Sequence, residues 1–248
     1  MSQFFSIITC TYNSETHLPG AIASLRSGRF DDYEHIFVDG ASKDGTLGII
    51  RQHLRPADRL HSAPDKGIYD ALNKGLDLAR GEVVGLLHSD DRFASDQVLE
   101  QVHDAFRDPL VDAVYGDLRY ISATHPARLI REWKSAPFKP ALLKQGWMPP
   151  HPTLFLRRQR LNAVGRYDIG MRIAADYDFI LRLFKQPDLT AAYLPETLVL
   201  MQTGGASNRS LGNVLLKSRE DLQALRRNGV GGWRTLALKN VSKLGQFF

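Results

Sequence analysis

Acidic side chains follow two strand-like segments of the sequence, at the point where each segment ends. Asp39 comes directly after His35–Val38, and the neighbours Asp90 and Asp91 come soon after Val83–Leu87. Two adjacent carboxylates after a buried strand repel each other unless a positive charge lies between them. Mg²⁺ and Mn²⁺ prefer carboxylate oxygens as ligands and can join them to an anionic nucleotide. The pattern therefore predicts a site for Mn²⁺ or Mg²⁺, held by Asp90 and Asp91.

The first hundred residues alternate between strand-like and helical segments, which indicates a parallel sheet covered by helices on both faces. In such sheets ligands bind outside the carboxyl ends of the strands, so the loops after the strands are where chemistry is expected. The predicted strands are Phe4–Cys10, His35–Val38, Arg59–Ser62 and Val83–Leu87, and the predicted helices are Thr16–Ser27, Gly45–Leu54, Ile68–Ala79 and 96–106.

The pattern changes after Asp112. Ala113–Ile121 and Leu129–Lys134 predict antiparallel strands, Thr153–Leu156 a further strand and Tyr177–Phe184 a helix. Two more helices are predicted over 207–228 and 233–248, separated by glycines. We therefore expect a mixed α/β domain over residues 1–208 and a helical tail over residues 209–248.

The composition excludes several classes of protein. With 248 residues, 43% of them hydrophobic and 24% charged, the chain has the make-up of an ordinary globular protein. No apolar run approaches the roughly 20 residues of a membrane span, and the N-terminus lacks the features of a signal peptide, so a cytoplasmic location is expected. The single cysteine, Cys10, excludes an internal disulfide and a cysteine-built metal site. The dinucleotide-binding, P-loop and serine-hydrolase motifs are also missing.

The predicted tail is basic, with eight lysines and arginines against Glu220 and Asp221 in residues 209–248. On a helical wheel one arc is apolar and the other is polar. An apolar face bordered by cations is typical of a helix on an anionic membrane surface, although such a face can equally pack on the domain. We expect no nucleic acid partner. The apolar arc contains Trp233, Leu236, Ala237, Val241, Leu244, Phe247 and Phe248, and the polar arc contains Lys239, Ser242, Lys243 and Gln246.

Five sequence elements together resemble the inverting glycosyltransferases of family 2, which have the GT-A fold, a Rossmann-like nucleotide-binding mixed sheet with flanking helices. The resemblance covers about residues 4–205. The DKGIYDALNKG element is most similar to family members that build bacterial surface polysaccharides such as O-antigen and colanic acid. In chain order, the elements are Thr11-Tyr12-Asn13, the VDGASKDGT segment from Val38, the DKGIYDALNKG segment from Asp65, the HSDD segment from His88, and GRYD followed by AADYDFILRL from Gly165.

The resemblance implies a nucleotide-sugar donor and assigns residues to it. Asp39 would accept a hydrogen bond from the base, which favours uracil N3–H, with guanine N1–H as the rival. His88 stands where the family usually has the first aspartate of its Asp-x-Asp motif, which leaves Asp90 as the expected metal ligand. The complete predicted donor side consists of Thr11, Tyr12, Asp39, Asp65, Lys66 and Asp90.

The resemblance also implies a catalytic base and an acceptor side. Asp176 corresponds to the second residue of the family's Glu-Asp motif, in which Ala175 replaces the glutamate. A hydroxyl is a poor nucleophile until a positioned carboxylate removes its proton, so Asp176 is the predicted base, with Asp178 as the competing candidate. Trp147 and His151 are predicted on the acceptor side, facing a saccharide or lipid-linked saccharide.

The sequence thus predicts a metal-dependent transfer of a sugar, with the enzyme peripheral to the inner face of the cytoplasmic membrane. Two alternatives from other classes stay open. A nucleotidyltransferase would also use paired carboxylates and a metal, but no phosphate-gripping loop follows the first strand. A catalytically silent nucleotide-sugar-binding protein would not need both Asp90 and Asp176.

Overall fold

Four parallel strands form one half of the sheet in the computed structural model, which describes residues 3–125, 128–203 and 211–242. The strands are β1 (Phe5–Thr11), β2 (Tyr33–Asp39), β3 (Arg59–Ser62) and β4 (Val83–Leu86), in the spatial order β3-β2-β1-β4. Helices α1 (Leu18–Arg26), α2 (Thr46–His53) and α3 (Ile68–Leu78) connect them. Every residue of β1 and β2 is buried, as is typical of parallel strands with helices on both faces. The predicted parallel sheet is confirmed.

The second half of the sheet is mixed. Strand β8 (Phe155–Arg157) pairs antiparallel with β4 and with β6 (Ala113–Ile121). Strand β9 (Ala191–Gln202), which was not predicted, pairs parallel with β6, while β5 (Arg92–Phe93) pairs antiparallel with β9 and β7 (Leu129–Trp133) with β6. The helices between these strands are α4 (Val98–Phe106), α5 (Pro140–Leu143), α6 (Leu161–Val164) and α7 (Ala175–Phe184).

Each face of the sheet carries an apolar layer. Phe5, Ile7 and Phe155 pack with the buried side of α4 on one face. On the other face, Ile8 and Leu86 pack with α3 and with α7, whose Phe179, Ile180 and Leu183 are buried. Burial of a large apolar side chain contributes about 1.5–3 kcal/mol, so these layers fix the strands whose ends carry the predicted site.

The C-terminal helices α8 (Leu211–Arg227) and α9 (Trp233–Ser242) pack on the domain. Leu222, Ala224, Leu225 and Leu236 belong to the same apolar layer as α7. None of the helices in the described ranges has the length and apolar character that crossing a membrane requires.

Helix α9 buries one residue of each arc of the helical wheel, Leu236 of the apolar arc and Lys239 of the polar arc. Trp233 and Val241 are 66% and 63% exposed, whereas Lys239 is only 1% exposed. The Lys239 ammonium group lies 2.7 Å from Asp221 Oδ1 and 3.0 Å from the centre of the Tyr177 ring. A carboxylate and an aromatic face together offset the cost of burying this charge. The predicted arc positions beyond Ser242 lie outside the described residues.

Candidate active site

The carboxylate of Asp39 lies at the end of β2 and is fully buried. Its Oδ1 accepts hydrogen bonds from the hydroxyls of Thr11 (3.0 Å) and Ser42 (2.5 Å). Its Oδ2 accepts the backbone N–H of Ser42 (3.0 Å) and the hydroxyl of Ser62 (2.8 Å). Because a carboxylate has about four lone-pair positions, these four donors fill all of them. Contact with a nucleotide base stays a prediction, and it requires the base N–H to replace one serine hydroxyl as a hydrogen-bond donor to Asp39.

Two opposing effects set the pKa of Asp39. Burial raises it, but the hydrogen bonds from Ser42, Ser62 and Thr11 together lower it further, so the net pKa lies below the ordinary aspartate value. Donors to the charged form of an acid stabilise that form. Asp39 is therefore an anion at neutral pH, and it binds the ends of β1, β2 and β3 to one another.

Tyr12, Gly40 and Asp65 meet in front of the ends of β1 and β2. Tyr12 is 63% exposed. A Cβ at Gly40 would lie 2.5 Å from Asp65 Oδ2 and 3.4 Å from Tyr12 Cδ2, so only glycine allows this approach. In the adjoining loops, Asn13 (φ 48°) and Ala41 (φ 62°) adopt the left-handed backbone conformation. This conformation raises the free energy of a residue other than glycine by up to about 1–2 kcal/mol. The structure therefore brings the predicted donor residues Tyr12 and Asp65 together beside the Asp39 loop.

Two other predicted residues lie in different surroundings. Lys66 is exposed, and no group in the described parts of the chain bonds its ammonium. Trp147 is half-buried in an aromatic cluster, with ring centres 5.7 Å from Tyr115, 5.5 Å from Phe138 and 5.4 Å from Phe184. Packing accounts for much of this indole, and its role as a platform for a sugar stays a prediction.

Asp91, in the loop after β4, is a fully buried carboxylate. Within the described residues neither of its oxygens has a hydrogen-bond partner. The backbone N–H of Gln202 faces it and favours its charged form without closing a hydrogen bond. Burial first, and then the charge of Asp90, raise the pKa of Asp91 well above the ordinary aspartate value. Such a group needs a neutralising partner, either a proton or a cation.

The loop of Asp90 and Asp91 has the donor chemistry of a divalent cation site. Asp90 is half-buried beside the unpaired oxygens of Asp91, and hard cations take such oxygens. Burial lowers the pKa of His88, against the charges of Asp90 and Asp176, so its ring is neutral near pH 7 and retains a lone pair. Over the ranges that the structure describes, no three His, Cys, Asp or Glu side chains are grouped to hold a metal. A cation there therefore needs further ligands, from a nucleotide or from water.

Asp176 lies in the first turn of α7 with one oxygen available. Its Oδ1 accepts the backbone N–H of Tyr177 at 2.8 Å and lies 3.4 Å from the hydroxyl of Tyr69. No group in the described part of the chain bonds Oδ2. The charge of Asp176 affects the pKa of both His88 and His151. Asp176 therefore lies in the neighbourhood of His88, two residues before Asp90, and of His151.

Asp178, the competing base candidate, points elsewhere. It is fully buried. Its carboxylate lies 2.9 Å from Arg182 Nε and 2.6 Å from Arg227 Nη2, and it accepts a hydrogen bond from Asn228 Nδ2 at 2.9 Å. Three donors hold it between α7 and α8. Of the two candidates, Asp176 is therefore the one with an oxygen that no group in the described residues bonds, and its assignment as the base stays a prediction.

One face of α3 holds the segment that leads to Asp176, a function that the sequence did not indicate. Asn73 Nδ2 donates to the carbonyl of Tyr167 (2.9 Å), and the N–H of Tyr167 donates to Asn73 Oδ1 (2.8 Å). One turn earlier, the Tyr69 hydroxyl donates to the carbonyl of Ile173 at 2.7 Å. The spacing of four residues between Tyr69 and Asn73 places both on one helix face, which was the available clue. Asp70 and Lys74 form an ion pair on another face of the same helix, at 3.1 Å.

His151 belongs to the buried centre of the site. Its Nε2 lies 2.8 Å from the Tyr167 hydroxyl, and its ring centre lies 6.2 Å from that of His88. Burial lowers the pKa of His151 to about 4; the charge of Asp176 opposes this effect and His88 adds to it. The ring is therefore neutral at pH 7. Its predicted contact with an acceptor stays a prediction.

The sequence elements assembled here match a known family. A family model described as Glycosyl transferase family 2 matches residues 6–166. The chain belongs to this family. A PGL/p-HBAD biosynthesis glycosyltransferase of Mycobacterium bovis (strain BCG / Pasteur 1173P2) is 33% identical over 221 residues, which cover 86% of this chain and 82% of that protein. The chain is accordingly a glycosyltransferase.

Solved structures of other glycosyltransferases share the fold. S. aureus TarS in complex with UDP-GlcNAc has a TM-score of 0.66 and 18% identity, covering 91% of this chain and 65% of that chain. The mannosyltransferase PcManGT from Pyrobaculum calidifontis, in complex with GDP-Man and Mn²⁺, has a TM-score of 0.68 and 17% identity, covering 99% of this chain and 71% of that one. These likenesses confirm the GT-A fold. The chain spans less than two thirds of the TarS chain.

Proposed function

We propose that this family 2 enzyme transfers a sugar from a UDP-sugar to the hydroxyl of a saccharide acceptor, with inversion at the anomeric carbon. One observation carries the proposal. Asp176 Oδ1 is fixed by Tyr177 and approached by Tyr69, while Oδ2 has no bonding partner in the described residues. A fixed carboxylate with one free oxygen is suited to remove a proton from a bound hydroxyl.

The reaction follows from this arrangement. The acceptor hydroxyl gives its proton to Asp176 Oδ2, and its oxygen forms a bond to the anomeric carbon of the donor. The bond between that carbon and the donor diphosphate breaks on the opposite side, so one displacement inverts the configuration. His151 and Tyr167, hydrogen-bonded to each other at 2.8 Å, are uncharged neighbours of Asp176. Uncharged, buried neighbours screen the negative charge of Asp176 less than water would.

On the donor side, the uridine assignment rests on Asp39 and on the pocket of Tyr12 and Asp65. The anionic carboxylate of Asp39 accepts hydrogen bonds, so it favours a nucleotide base that presents an N–H group, as both uracil and guanine do. TarS was solved with UDP-GlcNAc and PcManGT with GDP-Man and Mn²⁺, so GDP is the rival donor. Titration with UDP and GDP in the presence of Mn²⁺ separates the two, and tighter binding of GDP would overturn the uridine assignment.

Asp90 and Asp91 would hold a divalent cation, Mn²⁺ or Mg²⁺. The unpaired, buried oxygens of Asp91 support this assignment. When bound, the cation would neutralise the charge that develops on the departing diphosphate. Asp90→Asn should abolish turnover and the metal-dependent part of UDP binding, without changing the melting temperature measured in EDTA. Full activity of the wild-type enzyme in excess EDTA would contradict metal dependence.

The central experiment compares Asp176→Asn with the wild type. We expect donor binding to be unchanged and kcat to fall by on the order of 10²–10⁴, the usual contribution of a general base. A donor-hydrolysis and transfer assay with Mn²⁺ measures both. A variant with the wild-type rate would remove Asp176 from the mechanism. A wild-type protein that binds UDP without turnover of any acceptor would instead indicate a silent binding protein.

For the acceptor we propose a lipid-linked saccharide at an anionic membrane surface, as in surface polysaccharide or glycolipid synthesis. Helix α9 exposes Trp233 (66%), Leu238 (50%) and Val241 (63%), and Arg226 lies over the Trp233 ring at 5.7 Å. Exposed apolar residues beside cations suit an interfacial contact.

Co-sedimentation with anionic vesicles tests this contact. Because Leu236 and Lys239 are buried in the domain, removal of the whole helix would disturb the fold, and surface variants are the better probe. Trp233→Ser with Val241→Ser should release the protein from vesicles and leave activity on a soluble acceptor intact. Vesicle binding that persists in this double variant, or a wild type that ignores vesicles, would contradict the proposal.

A further inference from the structure

The segment Arg172–Ala174, which ends two residues before Asp176, is bound to a single carboxylate on α8. The backbone N–H of Arg172 donates to Glu220 Oε1, and those of Ile173 and Ala174 donate to Oε2, each at 2.9 Å. Glu220 is only 6% exposed. Hydrogen bonds to an ionised acceptor are roughly twice as strong as neutral ones. One side chain from near the C-terminus therefore fixes the backbone that enters α7.

Tyr69 holds the other side of the same segment. Its hydroxyl donates to the carbonyl of Ile173 at 2.7 Å and lies 3.4 Å from Asp176 Oδ1. Ile173 is thus bound through its N–H to Glu220 and through its carbonyl to Tyr69. Backbone held on both sides cannot rotate without breaking a hydrogen bond on each. These contacts fix the backbone that leads directly into the first turn of α7, where Asp176 lies.

We propose that Glu220 is a positioning residue for sugar transfer, acting through Asp176. The inference rests on the proposed function, because it assumes that Asp176 is the base. Glu220 binds backbone N–H groups and touches no reacting atom. A displacement of about 1 Å in a catalytic group can cost on the order of 100-fold in rate. Helix α8 lies beyond the residues 6–166 that the family model matches, so this positioning belongs to the C-terminal part of the chain.

The test is a double-mutant cycle. In Glu220→Gln a side-chain NH₂ group replaces one of the two oxygens that accept the backbone N–H groups of residues 172–174, so at least one of these three hydrogen bonds is lost. We expect kcat to fall by about 10- to 100-fold, with an unchanged KM for the donor. In the Asp176→Asn background the same change should leave the residual kcat unaltered, because the base is already lost. A general structural defect would lower kcat by the same factor in both backgrounds, and that result would overturn the proposal.

Arg227→Gln is the matched control. Arg227, also on α8, pairs with Asp168 and Asp178 at 2.6 Å each, so its loss weakens the packing of α8 without touching Arg172–Ala174. We expect its melting temperature to fall at least as far as that of Glu220→Gln, with kcat within about twofold of wild type. An equal loss of kcat in the two variants would contradict the positioning role.

Tyr69→Phe keeps the test decisive should Glu220→Gln fail to fold. It removes one hydroxyl from the other side of the segment and leaves the ring in place. It should lower kcat in the wild-type background and have no effect in Asp176→Asn, and additive losses would again overturn the proposal. A wild-type rate in Asp176→Asn alone would instead refute the proposed base, so the two failures are distinguishable.

Discussion

Asn73 and Tyr167 exchange two hydrogen bonds, at 2.9 Å and 2.8 Å, in which the side-chain amide of Asn73 pairs with the backbone of Tyr167 as a neighbouring strand would. The amide satisfies both the N–H and the C=O of one residue. This pair joins the DKGIYDALNKG element to the GRYD element and fixes the start of the segment that leads to Asp176.

Replacement of Asn73 by aspartate should therefore destabilise the protein. The carboxylate can still accept the N–H of Tyr167 but cannot donate to its carbonyl, and a lost buried donor costs about 1–3 kcal/mol. Urea unfolding measures the effect. Lys74→Gln, which removes an ion pair on the next residue of α3, is the control and should cost under about 1 kcal/mol. Equal stability losses in the two variants would show that the paired amide has no special role.

Asp178→Asn should lower stability and spare catalysis, the reverse of Asp176→Asn. The change removes charge from a buried carboxylate that faces Arg182 and Arg227, and a broken buried ion pair costs about 3–5 kcal/mol. Unfolding curves together with kcat, measured well below the melting temperature, separate the two variants. Loss of kcat in Asp178→Asn at full folding would reverse our assignment of the base.

The stability of the protein should fall in mild acid because His151 is buried in its neutral form. Its pKa is lowered to about 4 from 6.5, so between these values the unfolded chain binds a proton that the folded protein does not. Protonation of His151 in the unfolded chain therefore lowers the free energy of unfolding progressively from about pH 6.5 down to about pH 4, by about 3 kcal/mol in total.

His151→Gln should remove this part of the acid sensitivity, which urea unfolding at pH 7.5 and pH 4.5 measures. Tyr167→Phe is the matched control, because it removes the hydrogen-bond partner of His151 and retains the histidine. It should lose stability at both pH values and keep the acid-dependent loss. An unchanged difference between the two pH values in His151→Gln would show that other groups dominate.

Lys239→Ala should destabilise the protein although the residue is a lysine near the C-terminus. The variant leaves Asp221 buried with less compensating charge and uncovers the Tyr177 ring, at about 3–5 kcal/mol. Arg234→Ala, at an exposed position of the same helix, should change stability by under about 0.5 kcal/mol. Guanidinium unfolding measures both. Similar small effects would mean that α9 contributes little to the folded domain.

Most of the sheet could be predicted from the sequence, because its strands are short runs of buried residues between clear helical segments. Strand β9 could not. Pro195 and Glu196 interrupt its pattern and are exposed, and three residues of β9 lie between the positions that pair with Tyr115 and Asp117, where β6 has only one. Proline is tolerated at such a bulge because the backbone there needs no ladder hydrogen bond.

The sequence suggests site residues where side chains would act directly and not where they act through the backbone. Asp39, Asp90 and Asp176 follow or begin regular elements, and the family resemblance supplies the roles that are proposed for them. Glu220 has no such mark, since it looks like any acidic residue on an amphipathic helix. The burial of Lys239 in α9 could not be predicted for a related reason, because only the tertiary structure supplies Asp221 as its buried partner.

The pairing of β5 with β9 has a consequence for how the enzyme is made. Arg92, the residue after Asp91, is bound in register with Leu200, so contacts near the acidic pair join parts of the chain that leave the ribosome far apart in time. Contacts of such long sequence separation form late and slow folding. The parallel half of the sheet, β1 to β4 with its helices, is built from contiguous sequence that is complete before the rest of the sheet is synthesised. During synthesis the residues proposed to bind the donor therefore leave the ribosome well before α7 with Asp176, so an unfinished chain carries the proposed donor residues before it carries the proposed base.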